Sequence, residues 1–84
     1  MSWGWAEDDQ CNIIDCINIT SQQYVKRVNN EYLKITLRGT TIVVASGDAG
    51  APGRTNEECS SNRPINPVFP GSSPYVLSVG ATYV

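Results

Sequence analysis

The run Thr41-Ile42-Val43-Val44-Ala45-Ser46-Gly47-Asp48-Ala49-Gly50 constrains the fold more than any other stretch of the chain. Ile42-Val43-Val44-Ala45 has no polar face, which predicts a strand buried on both sides. The strand stops at a turn of small residues. Gly47 and Gly50 allow the backbone to bend sharply and to approach another group closely, and Asp48 is the single charge there. In open α/β sheets, ligands sit at the carboxyl ends of such strands. An ordinary strand-to-loop turn with Asp48 as a local cap carries the same signature. These ten residues leave both readings open.

A helix precedes the strand. Ser21 is an N-cap candidate, with Gln22 and Gln23 in the first turn. Val25, Val28, Tyr32 and Ile35 recur at three-four spacing, flanked by Tyr24 and Leu37, and form one apolar stripe. Lys34 and Arg38 suit a helix C-terminus and Gly39 is a natural residue just beyond it, so the helix spans 21–38. A helix leading directly into a buried strand is the second half of a β-α-β crossover. The first strand is then the strand end at 1–4, with Trp3 and Trp5 as core candidates. A glycine after a strand also marks where another backbone comes close, such as a peptide adding to a sheet edge. Further on, Pro64, Pro67, Pro70 and Pro74 punctuate an extended segment in which Phe69-Pro70 is a candidate cis peptide. Tyr75 to Gly80 reads as another strand.

Between the first strand end and the helix lies the acidic turn Ala6-Glu7-Asp8-Asp9-Gln10. Adjacent carboxylates diverge and these are not spaced like a calcium loop, so the turn reads as solvated. Residues 11–20 continue the loop, and Ile13, Ile14, Ile17 and Ile19 predict that it packs down on the rest. Cys11 and Cys16 can close a local disulfide, leaving Cys59 free or paired outside the chain. Zinc fits poorly, because there is no His and no C-x-x-C pair. Asn18-Ile19-Thr20 is an N-glycosylation sequon. Cysteines and sequon together point to an oxidising, non-cytosolic compartment.

Six Lys and Arg against eight Asp and Glu make no basic stripe, which argues against a nucleic-acid partner. No apolar stretch approaches the ~20 residues of a membrane span, which argues against a membrane partner. No signal peptide opens the chain, so the targeting segment of a secreted or lysosomal protein is expected upstream. At 84 residues this is at most one small domain, marginally stable without staples or partners. The lack of histidine matters more: a Ser-His-Asp or Cys-His mechanism would borrow its base from elsewhere, and otherwise carboxylates must serve in acid.

Four blocks now stand in order: Ser2-Trp3-Gly4; Tyr24-Val25-Lys26-Arg27-Val28-Asn29-Asn30-Glu31; Arg38-Gly39-Thr40 leading into the run through Gly50; and Phe69-Pro70-Gly71-Ser72-Ser73-Pro74-Tyr75-Val76-Leu77-Ser78-Val79-Gly80-Ala81-Thr82. Together they resemble the sedolisin family of serine-carboxyl peptidases, and the helix is more similar to its tripeptidyl-peptidase branch than to the bacterial endopeptidases. The resemblance implies an α/β fold, part of a subtilisin-like parallel sheet with flanking helices. It comprises the strand end 1–4, helix 21–38, strand 41–46 and strand 75–80, with 1–84 a central fragment of the catalytic domain. The implied chemistry is peptide-bond hydrolysis: a Ser attacks the carbonyl, a Glu replaces histidine as base, one Asp orients the Glu and a second, in S-G-D-x-G, stabilises the oxyanion. Only the last maps here, as Asp48. To donate to an oxyanion a carboxyl must be protonated, which a partly buried Asp at acid pH supplies.

By the same resemblance, Ser2, Trp3 and Gly4 match the strand that binds substrate, and Ser46 and Gly47 are expected to bind it as well. Trp3 matches a tryptophan that supports the catalytic carboxylates, with Trp5 a competing aromatic. The Glu and Asp pair is expected before Met1 and the nucleophile, in its Gly-Thr-Ser motif, after Val84. Ser46, Ser72 and Ser73 do not replace it, so the chain alone is expected to be inactive. No cofactor is expected within the chain; calcium is expected in the complete domain. The partners implied are a peptide or protein substrate and the remainder of the domain, in a lysosomal or secreted, acidic setting. The alternative is a non-catalytic interaction module or a degenerate peptidase scaffold. A phosphate cradle at Ser46–Gly50 is disfavoured, since Asp48 repels phosphate and no Lys follows.

Overall fold

The side chains of Val44 and Phe69 are 1% and 3% exposed and mark two centres of packing. The computed structural model describes residues 1–54 and 65–83; Cys59, Pro64 and the polar stretch before them lie outside those residues. Along the chain come β1 (Trp5–Ala6), a 3-10 turn (Glu7–Asp9), α1 (Gln10–Ile13), α2 (Ser21–Leu37), β2 (Val43–Ala45), β3 (Val68–Phe69) and β4 (Leu77–Val79). β2 and β4 are parallel, with Val43, Val44 and Ala45 opposite Leu77, Ser78 and Val79. β1 and β3 are antiparallel, with Trp5 opposite Phe69 and Ala6 opposite Val68. The fold is mixed α/β.

α2 begins one residue earlier than Ser21 predicts a cap. Thr20 is the N-cap: its Oγ1 accepts from the Gln23 N–H at 3.2 Å, and the Gln23 Oε1 accepts from the Thr20 N–H at 2.9 Å. This reciprocal pair satisfies two donors that a helix start leaves open. Ser21 instead accepts from the Cys11 N–H at 3.0 Å, tying α1 to α2. At the other end Arg38 is the C-cap and Gly39 takes φ +86°, while the Gly39 and Thr40 N–H groups donate to Thr36 and Ile35. That double closure needs a left-handed residue, which glycine adopts without strain. Of the expected stripe, Val25, Val28 and Tyr32 are half-buried, whereas Ile35 and Leu37 are exposed because the helix runs past the elements it packs on.

The strands are shorter than expected and the first is differently placed. The predicted strand end at 1–4 reduces to residue 1, where the Met1 ammonium donates to Val43 O and Ala45 N–H donates to Met1 O, the slanted pattern of a parallel neighbour. The backbone then leaves β2 and joins β3. Gly4 is the reason: a Cβ there would lie 2.7 Å from Val68 Cγ1 and 2.8 Å from the Phe69 carbonyl oxygen. The backbone that approaches Gly4 belongs to the chain itself. Strand 41–46 narrows to β2, although Ile42 and Ser46 still bond to Leu77 and Val79. Strand 75–80 narrows to β4, since Ser73 Oγ accepts from the Tyr75 N–H and holds residues 74–76 in a turn. The Phe69-Pro70 peptide is cis.

Burial of β2 on both sides is corrected. Val44 is buried, but Val43 and Ala45 face the same side as Leu77 and Val79, and all four are exposed. Among the described residues nothing covers that face, and the shortest dimension is only 18 Å. The expected acidic loop is also corrected. It winds into the 3-10 turn and α1, because the buried Gln10 amide donates to the Trp5 and Ala6 carbonyls at 2.9 and 3.1 Å. Nor does 11–20 pack down as predicted: Ile13, Ile14 and Ile17 are exposed, and only Ile19 is half-buried.

Two outcomes follow for stability. Gly4→Ala should cost about 1–3 kcal/mol, read from the denaturant midpoint, because Val68 and the Phe69 carbonyl cannot both yield. Tyr32 stacks on Phe69 with ring centroids 6.2 Å apart, and burial, with a smaller contribution from Tyr24, raises its phenol above 10.0. The neutral phenol is therefore favoured in the folded chain, and its contribution, complete below pH 10.0, is lost as pH rises through the folded-state value. Tyr32→Phe, which keeps the ring stack, should flatten the alkaline decline in unfolding midpoint.

Candidate functional site

Two segments far apart in sequence meet in one cleft of about 350 Å³, lined by Ser2, Trp3, Gly4, Gly47, Asp48 and Arg54 together with small and apolar neighbours. The first lip exists because Gly4 draws the chain from β2 to β3; the second exists because β2 ends and Gly47 turns with φ +98°. Val68 separates them. Its Cγ1 meets the empty Cβ position of Gly4 and its Cγ2 that of Gly47, at 2.7 and 3.1 Å. Beyond Asp48 the loop is fixed by Gly53 N–H donating to Gly50 O at 3.2 Å and Asn66 N–H to Ala51 O at 3.0 Å.

The structure brings five of the six expected cleft residues together: Ser2, Trp3, Gly4, Gly47 and Asp48. Ser46 is the exception. It opens onto a neighbouring depression shared with Gly71, Ser72 and Ser78, because successive side chains along an extended segment point to opposite sides. Asp48 is exposed rather than partly buried. Trp3 is 75% exposed at the mouth, so it is not a core residue; Trp5 is half-buried.

Arg54 escapes the sequence reading. Its guanidinium carbon lies 5.7 Å from the centroid of the Trp5 ring, within cation–π range, and adds a positive charge to the lining that also holds Asp48. The available signal was a lone cation in the same glycine-rich loop as Asp48. Behind the cleft, Ser72 Oγ donates to Glu7 Oε1 at 2.5 Å, joining the 3-10 turn to the turn after Pro70. Elsewhere, Cys11 and Cys16 form a disulfide with Cα atoms 5.2 Å apart, and Asn18 is exposed with φ +61°. Among the described residues no group of three or more His, Cys, Asp or Glu is arranged to hold a metal ion, and no helix is long and apolar enough to cross a membrane.

The chain is 54% identical to Physarolisin of Physarum polycephalum over 84 aligned residues, 98% of this chain. It is 45% identical over 62 residues, 74% of the chain, to Tripeptidyl-peptidase 1 of both Canis lupus familiaris and Homo sapiens. It spans only 15% of the first relative's length and 10% of the other two. No protein-family model matches the sequence, and no solved structure matches it significantly. Over its own length the chain belongs with the sedolisin family of serine-carboxyl peptidases. Within that family it is similar to Physarolisin and to the tripeptidyl-peptidases.

Gly47→Ala tests the second lip. A side chain at φ +98° and 3.1 Å from Val68 should cost on the order of 1–3 kcal/mol, measured by thermal or denaturant unfolding.

Proposed function

We propose that residues 1–84 are a central part of a serine-carboxyl peptidase catalytic domain that cleaves peptide or protein substrates in an acidic compartment, lysosomal or secreted. The observation that carries this reading is the meeting of Ser2–Gly4 with Gly47 and Asp48 in one cleft. Its volume lies within the range of small-ligand sites, suited to a few residues of an extended chain. The parallel pair β2–β4, with Met1 alongside β2, would be the local part of a subtilisin-like sheet.

In this reading a substrate strand lies against the backbone of residues 2–4 and pairs with it by main-chain hydrogen bonds. Its scissile carbonyl then points across the cleft to Asp48. As a nucleophile adds, the carbonyl oxygen gains negative charge, and a protonated carboxyl at position 48 donates to it. An ionised carboxylate there would repel the same charge, so the step requires acid. The sequence has no His and no Gly-Thr-Ser motif. The nucleophile, the Glu base and the Asp that orients it would come from outside these residues, and we infer that the chain alone does not hydrolyse peptides. Calcium belongs to the same proposal, held by residues outside this chain.

Asp48→Ala, which removes the donor, is the test in the complete polypeptide. Turnover at acid pH should fall by about 10²–10³-fold with little change in KM, since the interaction forms mainly in the transition state. Unchanged turnover would remove the oxyanion role and leave these residues as scaffold or as a binding module.

A further inference from the structure

The chain carries a single N-x-S/T sequon, Asn18-Ile19-Thr20, and the proposed catalysis does not use it. We propose that Asn18 is an N-glycosylation acceptor, and that the glycan is attached before the Thr20 cap on α2 closes. Three observations carry this. Asn18 is exposed in the turn between α1 and α2, and it does not line the cleft. Its φ of +61° is the left-handed conformation, which Asn tolerates better than most side-chain-bearing residues. The same short loop holds the Cys11–Cys16 disulfide, whose formation requires the oxidising route on which such glycans are added.

The order of events comes from Thr20. In the folded chain its hydroxyl oxygen accepts from the Gln23 N–H, and its own N–H donates to the Gln23 side chain. The segment is pinned on both sides as well, by Ile19 N–H donating to Cys16 O at 3.4 Å and by Cys11 N–H donating to Ser21 Oγ. A transferase must read the sequon as an open, extended strand, whereas the turn at Ile19 and the reciprocal Thr20–Gln23 cap hold it bent into the start of a helix. Attachment therefore belongs to the open chain. The donor is a lipid-linked oligosaccharyl pyrophosphate. The bond from the sugar's anomeric carbon to the pyrophosphate oxygen breaks, and a bond from that carbon to Asn18 Nδ2 forms. One amide proton passes to a base of the transferase, and the lipid pyrophosphate leaves as the anion. Once the helix caps, the glycan remains outside, since Asn18 points from an exposed turn.

The experiment expresses the complete polypeptide through a eukaryotic secretory route and treats it with peptide N-glycosidase in heavy-oxygen water. The peptide ending at Lys26 should carry heavy-label Asp at position 18. Asn18→Gly, which keeps the left-handed backbone, should lose the label and the gel shift, whereas Thr20→Ser should keep both. A second arm offers unglycosylated protein to a purified oligosaccharyl transferase: the reduced, unfolded chain should be modified and the folded chain should not. Recovery of unlabelled Asn18 from the secreted pool overturns the site. Equal modification of folded and unfolded chains overturns the order. Both readouts are independent of peptidase activity, so they stand or fall apart from the catalytic reading.

Discussion

The ring of Phe69 is the place where the separate layers of this chain meet. It stacks on Tyr32 of α2 with only 21° between the ring planes, stands opposite Trp5 across the antiparallel ribbon, and leads through a cis peptide into the turn that starts the approach to β4. The neighbouring bond from Ser72 to Glu7 closes the same corner from behind. A chain of this size has little apolar surface to hide, and a few contacts must therefore orient several elements at once. Withdraw the aromatic stack and the helix loses its purchase on β3; withdraw β3 and neither lip of the cleft has anything to rest on.

The parallel pair shows the opposite economy. Val44 is fully enclosed, yet the reverse face of the same two strands presents Val43, Ala45, Leu77 and Val79 to solvent. Sheets of parallel strands are ordinarily covered on both faces. The sequence of β2 is suited to such double burial, while the described residues supply one cover. That mismatch is a property of the residues themselves, and it accords with a chain that spans 15% of the length of Physarolisin.

The strand–turn run at 41–50, the helix and the family motifs could be read from the residues because each depends on local periodicity or on short-range turn chemistry. Ser21 and Thr20 illustrate the limit: both are acceptable caps by type, and the choice falls to Thr20 because Gln23 lies three residues on and can return the hydrogen bond. The strand end at 1–4 was misplaced because its fate rests on a contact with Val68 and Phe69, more than sixty residues away, which no window of sequence contains. The exposure of Ile35, Leu37, Ile13 and Ile17 was hidden for a related reason, since hydropathy records what a side chain favours and not whether a partner is there. At the site, Asp48 and Gly47 were legible from the turn and Arg54 was not, because its significance lies in standing over Trp5.

Val68 bears on how such a cleft can diverge. One side chain touches the glycine of each lip, with separate methyl groups serving the two. Its bulk therefore works as a shim: a smaller residue lets both walls settle inward, and a larger one drives them apart, with no change to Asp48 or to any backbone donor. The width of the cleft and the placement of Asp48 are consequently tied to one position. A change of shape in this cleft would therefore be expected at residue 68 and its two glycine partners as a set, before the acidic residue they position.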